Sequence, residues 1–377
     1  ETAVTEAPTT EATEAPTEAA VPVRLGAMTG PTGIGMVRLF DDADKDAASP
    51  YTYTVKGAAD ELTPLLLQGE LDIVSVHANL ASVLYNKTEG KVKALAVNVL
   101  GVLYLAEYNS DEIHSLADLK GKTVYATGKG STPEYFLRYV LTQNGLDPDT
   151  DVTLDWKSEP SEVLAVLNGQ GSGIAMLPQP YVTAAAAQLG EGFQVKLSVS
   201  EEWQKVSGGT PCITACILVR SQFAEENPAA VEQFLADYAD SAAWVNENVE
   251  AAGDLCGQYE IVKAPIAKKA IPQCNIVSIT GSDMKAALSG CLEVLFQQNP
   301  AVCGEPDENG NVWPSYKKMA NKAWRKTLID QNPAIADAPA AAITTNNGLF
   351  LSDGQKAWKT GMHNLPANKA DRKDFRF

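Results

Sequence analysis

A chain of 377 residues, 45% hydrophobic and 20% charged, is too long for one small core and implies two lobes or domains. Its formal net charge of -17 argues against nucleic acid as a partner, because a phosphate backbone calls for a basic face. No apolar run is long enough to cross a membrane as a helix.

Residues 1–20 contain only Glu, Thr, Ala and Pro with a single Val. Such a composition cannot bury a core and reads as an extended spacer. It has the character of the tether that follows the lipidated cysteine of a Gram-positive lipoprotein, which makes the chain a trimmed mature form anchored through a cysteine it no longer carries. A linker from a neighbouring domain is the alternative.

From residue 21 a regular grammar begins. Val21–Ala27 is strand-like and runs into the turn Met28-Thr-Gly-Pro-Thr-Gly-Ile-Gly35 and a short helix. Tyr51–Val55 alternates as a strand, Ala58–Glu70 is an amphipathic helix with a glycine stop, and Leu71–Val76 is a buried strand ending in His77-Ala-Asn-Leu80. Another helix follows from Ala81, then a strand at Lys93–Asn98, and Val102–Glu107 reads as a strand crossing to a second lobe. The grammar then restarts. Gly121–Tyr125 is a strand, and the turn Tyr125–Glu134 leads into the helix Tyr135–Gln143, which stops at Asn144-Gly145. Val152–Trp156, the helix from Glu162 and the strand Ser172–Leu177 complete the second unit, ending at Pro178-Gln-Pro-Tyr181. "LLLQGE" before "LDIVSV" in the first unit is matched by "LAVLNGQGSG" before "IAML" in the second. Phe193–Ser198 and Ile213–Arg220 are strands expected to run back to the first lobe, and a long helix opens at Ser221 and extends to about Asn248. Helices at Ala251–Tyr259, Ile266–Ala270 and Ser282–Gln297 follow.

Regular β–α alternation with short connections specifies an α/β protein with parallel sheets covered by helices. The expected divisions are the spacer 1–20, a first lobe 21–105, a second lobe 106–221, completion of the first lobe by 222–303, and a tail 304–377. From Asn311 onward the tail carries eleven Lys and Arg against five Asp and Glu, the reverse of the rest of the chain. It is expected to be partly helical near Tyr316–Ile329 and an appendage otherwise.

In an open α/β sheet, turns at the carboxyl ends of strands face the ligand crevice. Five segments are therefore expected to converge. They supply Thr29, Pro31, Thr32 and Gly33; His77, Asn79 and Leu80; Asn98; Gly128, Gly130, Ser131, Thr132 and Glu134; and Pro178 and Gln179. Hydroxyls, amides and free N–H groups at helix starts bind by hydrogen bonds and shape, and two such helix starts favour an anion at contact. His77 is the one histidine on such a turn, more simply a structural or hydrogen-bonding residue than a catalytic base. Glu134 either meets an ammonium group or complements its own helix dipole. Trp156 and Trp203 either stack on a flat ligand or pack in the core, packing being the simpler reading. The order of residues around Gly128-Lys-Gly130 fits neither phosphate-binding loop. Six cysteines, all in the second half and without a CxxC pair, together with three histidines, support no zinc site, and buried free thiols are expected.

The segments "VRLGAMTGPTGIGMVRL", "LLLQGELDIVSVHANLASVLYN", "DLKGKTVYATGKGSTPEYFLRYVLTQNGL", "GSGIAMLPQPYV" and "FAEENPAAVEQFLADYADSAAWVNEN" resemble the solute-binding lipoproteins of ABC importers. They are most similar to the branch that serves nitrate, sulfonate, taurine and thiamine-pyrimidine uptake. The resemblance covers residues 21–303, with "GKGSTPEY" and "LPQP" as its most specific pieces. It implies the type II periplasmic-binding-protein fold, with two α/β lobes joined by crossing hinge strands. It also implies hinge closure on a small polar or anionic organic solute, no cofactor, no metal and no catalysis. The partner would be a membrane permease, met by a monomer on the outer face of the cell membrane. Ligand contacts carried over from the family are Thr29, Thr32, His77, Asn79, Gly130, Ser131, Thr132 and Gln179. The segment "CGEPDENGNVWPSYKK" departs from the family pattern and leads into the unfamiliar tail. An enzyme of pyrimidine or cofactor synthesis on the same fold, using His77 or Glu134, and a ligand-sensing surface domain are the alternatives.

Overall fold

The computed structural model describes residues 20–298 and 300–303. The spacer 1–19 and the tail from 304 lie outside the described residues.

Eleven strands form two mixed sheets among the described residues. They are β1 (Val23–Met28), β2 (Tyr51–Lys56), β3 (Ile73–His77), β4 (Val92–Leu100), β5 (Leu103–Tyr108), β6 (Thr123–Thr127), β7 (Thr153–Lys157), β8 (Gly173–Pro178), β9 (Phe193–Ser198), β10 (Ile213–Arg220) and β11 (Ile276–Ile279). The first sheet has the order β11-β4-β10-β3-β1-β2 and the second β7-β6-β8-β5-β9. In each, three consecutive β–α units supply parallel neighbours, β2-β1-β3 in one and β7-β6-β8 in the other. The remaining strands are antiparallel additions.

The internal repeat has a local cause. Helices Ala59–Gln68 and Pro160–Gln170 both end at a glycine in the left-handed region, Gly69 at φ 80° and Gly171 at φ 76°. Only glycine adopts that geometry freely, so the chain turns back at the same point of each unit and enters the next buried strand.

Three details differ from the sequence reading. β9 does not return to the first lobe but stays in the second sheet beside β5, and only β10 returns. The crossings therefore lie at 100–103 and 198–213, the second of them carrying the helix Val199–Val206. The long helix is two, Ser221–Glu226 and Pro228–Glu247, because Pro228 has no N–H to continue the ladder and restricts Asn227. The edge strand β11 was not anticipated, being four residues long and too short for a clear alternation.

The two crossings touch. A Cβ on Gly101 would collide with the Ser200 side chain and approach the Cys212 Cβ to 3.1 Å, so the absence of a side chain lets the segments pack directly. The end of the first sheet away from the parallel strand exits is fixed by a buried carboxylate. Asp72 Oδ2 accepts from Arg24 N and Nε at 3.0 and 2.8 Å, and Oδ1 from Arg24 Nη2 and Arg220 Nη2 at 2.7 Å each. One side chain thus joins β1, the entry to β3 and the end of β10. All six cysteines are buried free thiols, and burial pushes Cys216 and Cys291 up to about 12.

Candidate functional site

The carboxyl ends of six parallel strands meet at one cleft between the sheets. β1 delivers Met28 and Thr29, β2 Gly57, β3 His77, β6 Thr127 and Gly128, β7 Ser158, and β8 Pro178 and Gln179. Every one of these strands is followed by a helix, so six helix starts surround the space. β4, β10 and the first crossing close its floor with Val99, Thr214, Ala215, Val102 and Leu103. Pro31, Thr32, Pro133, Pro160 and Tyr181 complete the wall, Tyr181 being 37% exposed at the mouth. The cleft encloses about 230 Å³, room for a small organic molecule.

Its electrostatics are plain. Among the described residues no Asp, Glu, Lys or Arg lines it. Burial pushes the His77 imidazole down to about 4, because a dry surrounding disfavours the cation, so the ring is neutral at pH 7. Thr32 Oγ1 donates to Met28 O at 2.8 Å, closing the first turn from within.

Of the residues expected from sequence, Thr29, Pro31, Thr32, His77, Gly128, Pro178 and Gln179 line the cleft, and the other eight do not. Each of the eight has a reason in its partners. Gly130 N donates to Glu134 Oε2 at 2.6 Å, and Arg138 Nε donates to Glu134 Oε1 at 2.9 Å. The N–H expected to face a guest is thus held by the chain's own carboxylate. Ser131 Oγ donates to Gly128 O at 2.8 Å. Asn98 lies fully buried, its Nδ2 donating to Ser75 Oγ at 2.7 Å. A Cβ on Gly33 would lie 2.8 Å from Met28 O, so this glycine serves close packing of the turn, and Leu80 packs against the core. Trp203 is fully buried against Phe136 and Tyr139, and Trp156 packs on the same core.

Asn79 and Thr132 meet each other. Thr132 Oγ1 donates to Asn79 Oδ1 at 3.0 Å, joining the helix after β3 to the helix after β6, one from each lobe. Gln179 makes a second bridge. Its Nε2 donates to Gln273 Oε1 at 2.6 Å, in the turn before β11, while Thr183 Oγ1 donates to its Oε1 at 2.8 Å. Both pairs close on side chains 53 and 94 residues apart in sequence. A double-mutant cycle of Asn79→Ala and Thr132→Val, read by urea unfolding, should give a coupling of about 1 kcal/mol. A coupling near zero would show that the pair does not tie the lobes.

Sequence reasoning missed Thr214, Ser158, Gly57 and Thr127 on the cleft wall. Three of these lie at strand ends or helix starts like those it selected, and the same rule would have found them. Thr214 lies within a strand, where no such rule applies.

A family model described as the NMT1-like family matches residues 40–257, more than half of the chain. Among solved structures, an ABC transporter protein from Parabacteroides distasonis is 20% identical, covering 78% of this chain and 96% of its own, with a TM-score of 0.64. The periplasmic aliphatic sulphonate binding protein SsuA from Escherichia coli is also 20% identical, covering 75% and 94%, with a TM-score of 0.62. The periplasmic nitrate-binding protein NrtA from Synechocystis PCC 6803 is 14% identical, covering 88% and 92%, with a TM-score of 0.55. No curated protein sequence matches. The likeness establishes the two-lobed periplasmic-binding-protein fold.

Proposed function

The chain belongs to the NMT1-like family, and from that premise we propose that it is the extracytoplasmic solute-binding component of an ABC importer. It captures a small polar organic solute between its lobes and delivers it to a membrane permease. The observation that carries this reading is the convergence of six parallel strand ends on one cleft between two sheets. A solute held there touches both lobes only when they are together, so it favours the closed state. The spacer 1–20 would hold the protein at the outer face of the membrane through a lipid anchor. Binding is favoured over catalysis because His77, the one titratable side chain on the wall apart from Tyr181, has no hydrogen-bonded partner among the described residues to act as an acid–base couple.

Within the family's range of solutes the cleft fits an uncharged one better than nitrate or a sulfonate. Enclosing an anion without a counter-cation costs several kcal/mol, roughly. A helix start returns about 0.3–1 kcal/mol, up to about 2 when partly buried. The start most suited to an anion, at Gly130–Thr132, already carries Glu134. Desolvation therefore outweighs the dipoles.

A thermal-shift panel on refolded protein tests both levels. At a hundredfold excess over Kd a ligand adds about 2.7 kcal/mol of stability. Uncharged heterocycles such as cytosine should stabilise more than nitrate or ethanesulfonate at equal concentration. Stabilisation by the anions alone would reverse the charge argument and leave the binding role standing. Silence from every compound, with the fold intact, would remove the binding role.

A further inference from the structure

Three of the helices that start at the cleft share one local pattern. Lys56-Gly57, Lys129-Gly130 and Lys157-Ser158 are each followed, four residues after the second member, by a glutamate, Glu61, Glu134 or Glu162. These glutamates are the third residues of the helices Ala59–Gln68, Thr132–Gln143 and Pro160–Gln170. A carboxylate at that position can reach back over the helix start. Gly130 N donates to Glu134 Oε2 at 2.6 Å, and Ser158 N donates to Glu162 Oε2 at 2.9 Å. Glu61 holds the corresponding place in the first lobe, its Oε1 3.7 Å from where a Cβ on Gly57 would be. N–H groups that a helix start would offer to an anion are thus taken from within the chain.

Glu134 differs from the other two in burial. It is 7% exposed, whereas Glu61 and Glu162 are exposed. It directly follows Pro133, which lines the cleft together with Thr127 and Gly128 of the same turn. Its charge therefore acts on the cleft largely through protein, where screening is weaker than at the surface. Arg138 does not cancel that charge. Its Nε donates to Glu134 Oε1 at 2.9 Å while its Nη1 donates to Asp149 Oδ1 at 2.8 Å, so one cation serves two carboxylates. Lys129, in the same turn, is exposed and its charge is screened by water. A cap that served the helix alone would need only an acceptor for Gly130 N, which a glutamine supplies as well.

Resting on the solute-binding reading, we propose that Glu134 is a specificity-determining residue that bars small oxyanions from the cleft. It acts in two ways. It occupies the Gly130 N–H, and it fixes a negative charge behind the wall formed by Thr127, Gly128 and Pro133. An incoming anion meets a like charge in a setting without a lining cation, while an uncharged solute meets no such opposition. Discrimination of this kind comes from a repulsive element against the unwanted solute and asks for no added contact with the preferred one. Removing the charge at 134 should therefore widen what the cleft accepts, without any new cation being introduced.

The test uses the full chain, refolded free of ligand. Glu134→Gln removes the charge and keeps an acceptor for Gly130 N, Glu134→Ala removes both, and Glu134→Asp keeps the charge. Glu162→Gln is the exposed counterpart. Ethanesulfonate and nitrate are the probes, with Kd from calorimetry at low ionic strength and the fold checked by circular dichroism. Glu134→Gln should bind at least one of the anions tenfold or more tightly than the wild type, a gain that a purely structural cap would not give. Glu134→Ala should move in the same direction, so whichever of the two folds carries the result. Glu134→Asp and Glu162→Gln should stay within about threefold of the wild type. Equal anion affinity in the wild type and the folded charge-free variants overturns the assignment, and so does an absence of anion binding in all of them. An equal gain in Glu162→Gln overturns it too, because the effect would then belong to overall charge. The solute-binding role is judged separately, by the response of the wild type to the uncharged compounds of the thermal-shift panel. With that response intact, a missing gain strikes the assignment of Glu134 alone.

Discussion

Replacing Trp203 by alanine should destabilise the protein by about 3–5 kcal/mol, the range for truncating a large buried aromatic residue. Trp203 is fully buried, its ring centroid lies 4.6 Å from that of Phe136 and 4.8 Å from that of Tyr139, and its Nε1 donates to Thr210 O at 2.7 Å. It sits on the helix Val199–Val206, in the second crossing, and packs that helix against Thr132–Gln143. Loss of the indole leaves a cavity that the paired rings cannot fill, while Thr210 O keeps the Ser207 hydroxyl as a donor at 2.8 Å. The residue does not line the cleft, so the protein that remains folded should bind ligand with its usual affinity. Urea unfolding measures the first effect and calorimetry the second. A loss below about 1 kcal/mol, or an affinity that falls in the fully folded variant, would place Trp203 at the ligand rather than in the core.

The second large effect belongs to Asp72. Burial alone would raise its pKa, but the hydrogen bonds from Arg24 and Arg220 outweigh it and hold the carboxyl below its usual range. Breaking a buried ion pair from one side costs about 3–5 kcal/mol. Arg24 and Arg220 keep 42% and 21% of their side chains exposed and regain water when released. The discounted expectation for Asp72→Ala is therefore about 2–3 kcal/mol. The sign with pH follows from the lowered pKa. The unfolded chain holds its proton at a higher pH than the folded one, so the contribution is fully present above the unfolded value. It is lost as the pH falls below about 4 and through the folded value. Between pH 6 and pH 3 the wild type should lose more stability than Asp72→Ala does, and parallel curves would show that the carboxylate contributes nothing to acid sensitivity.

The β–α alternation was legible because each strand is a short apolar run and each helix carries its own stop, as the glycines at 69 and 171 show. What depended on pairing was not. That β9 stays beside β5 is decided by long-range register, and β11 is too short to carry a pattern. The candidate site divides in the same way. Strand-end turns could be named from position alone, and Thr29, His77 and Gln179 do reach the cleft. Which way an amide or hydroxyl points depends on partners distant in sequence, so Asn79 and Thr132, both read as ligand contacts, turn to each other.

Two side-chain bridges among those that join the lobes carry a consequence for binding on the proposed closing motion. Asn79 with Thr132 and Gln179 with Gln273 join side chains of the two lobes, so they form only when the lobes are together. At about 1 kcal/mol each, they multiply the closed-to-open ratio by about thirtyfold before any solute arrives. Apparent affinity scales with the fraction of molecules able to bind, so these amides would act as a gain control on capture. Strengthening the Asn79–Thr132 pair, which does not line the cleft, would tighten retention of every solute alike, and weakening it would speed release without changing which solute is chosen.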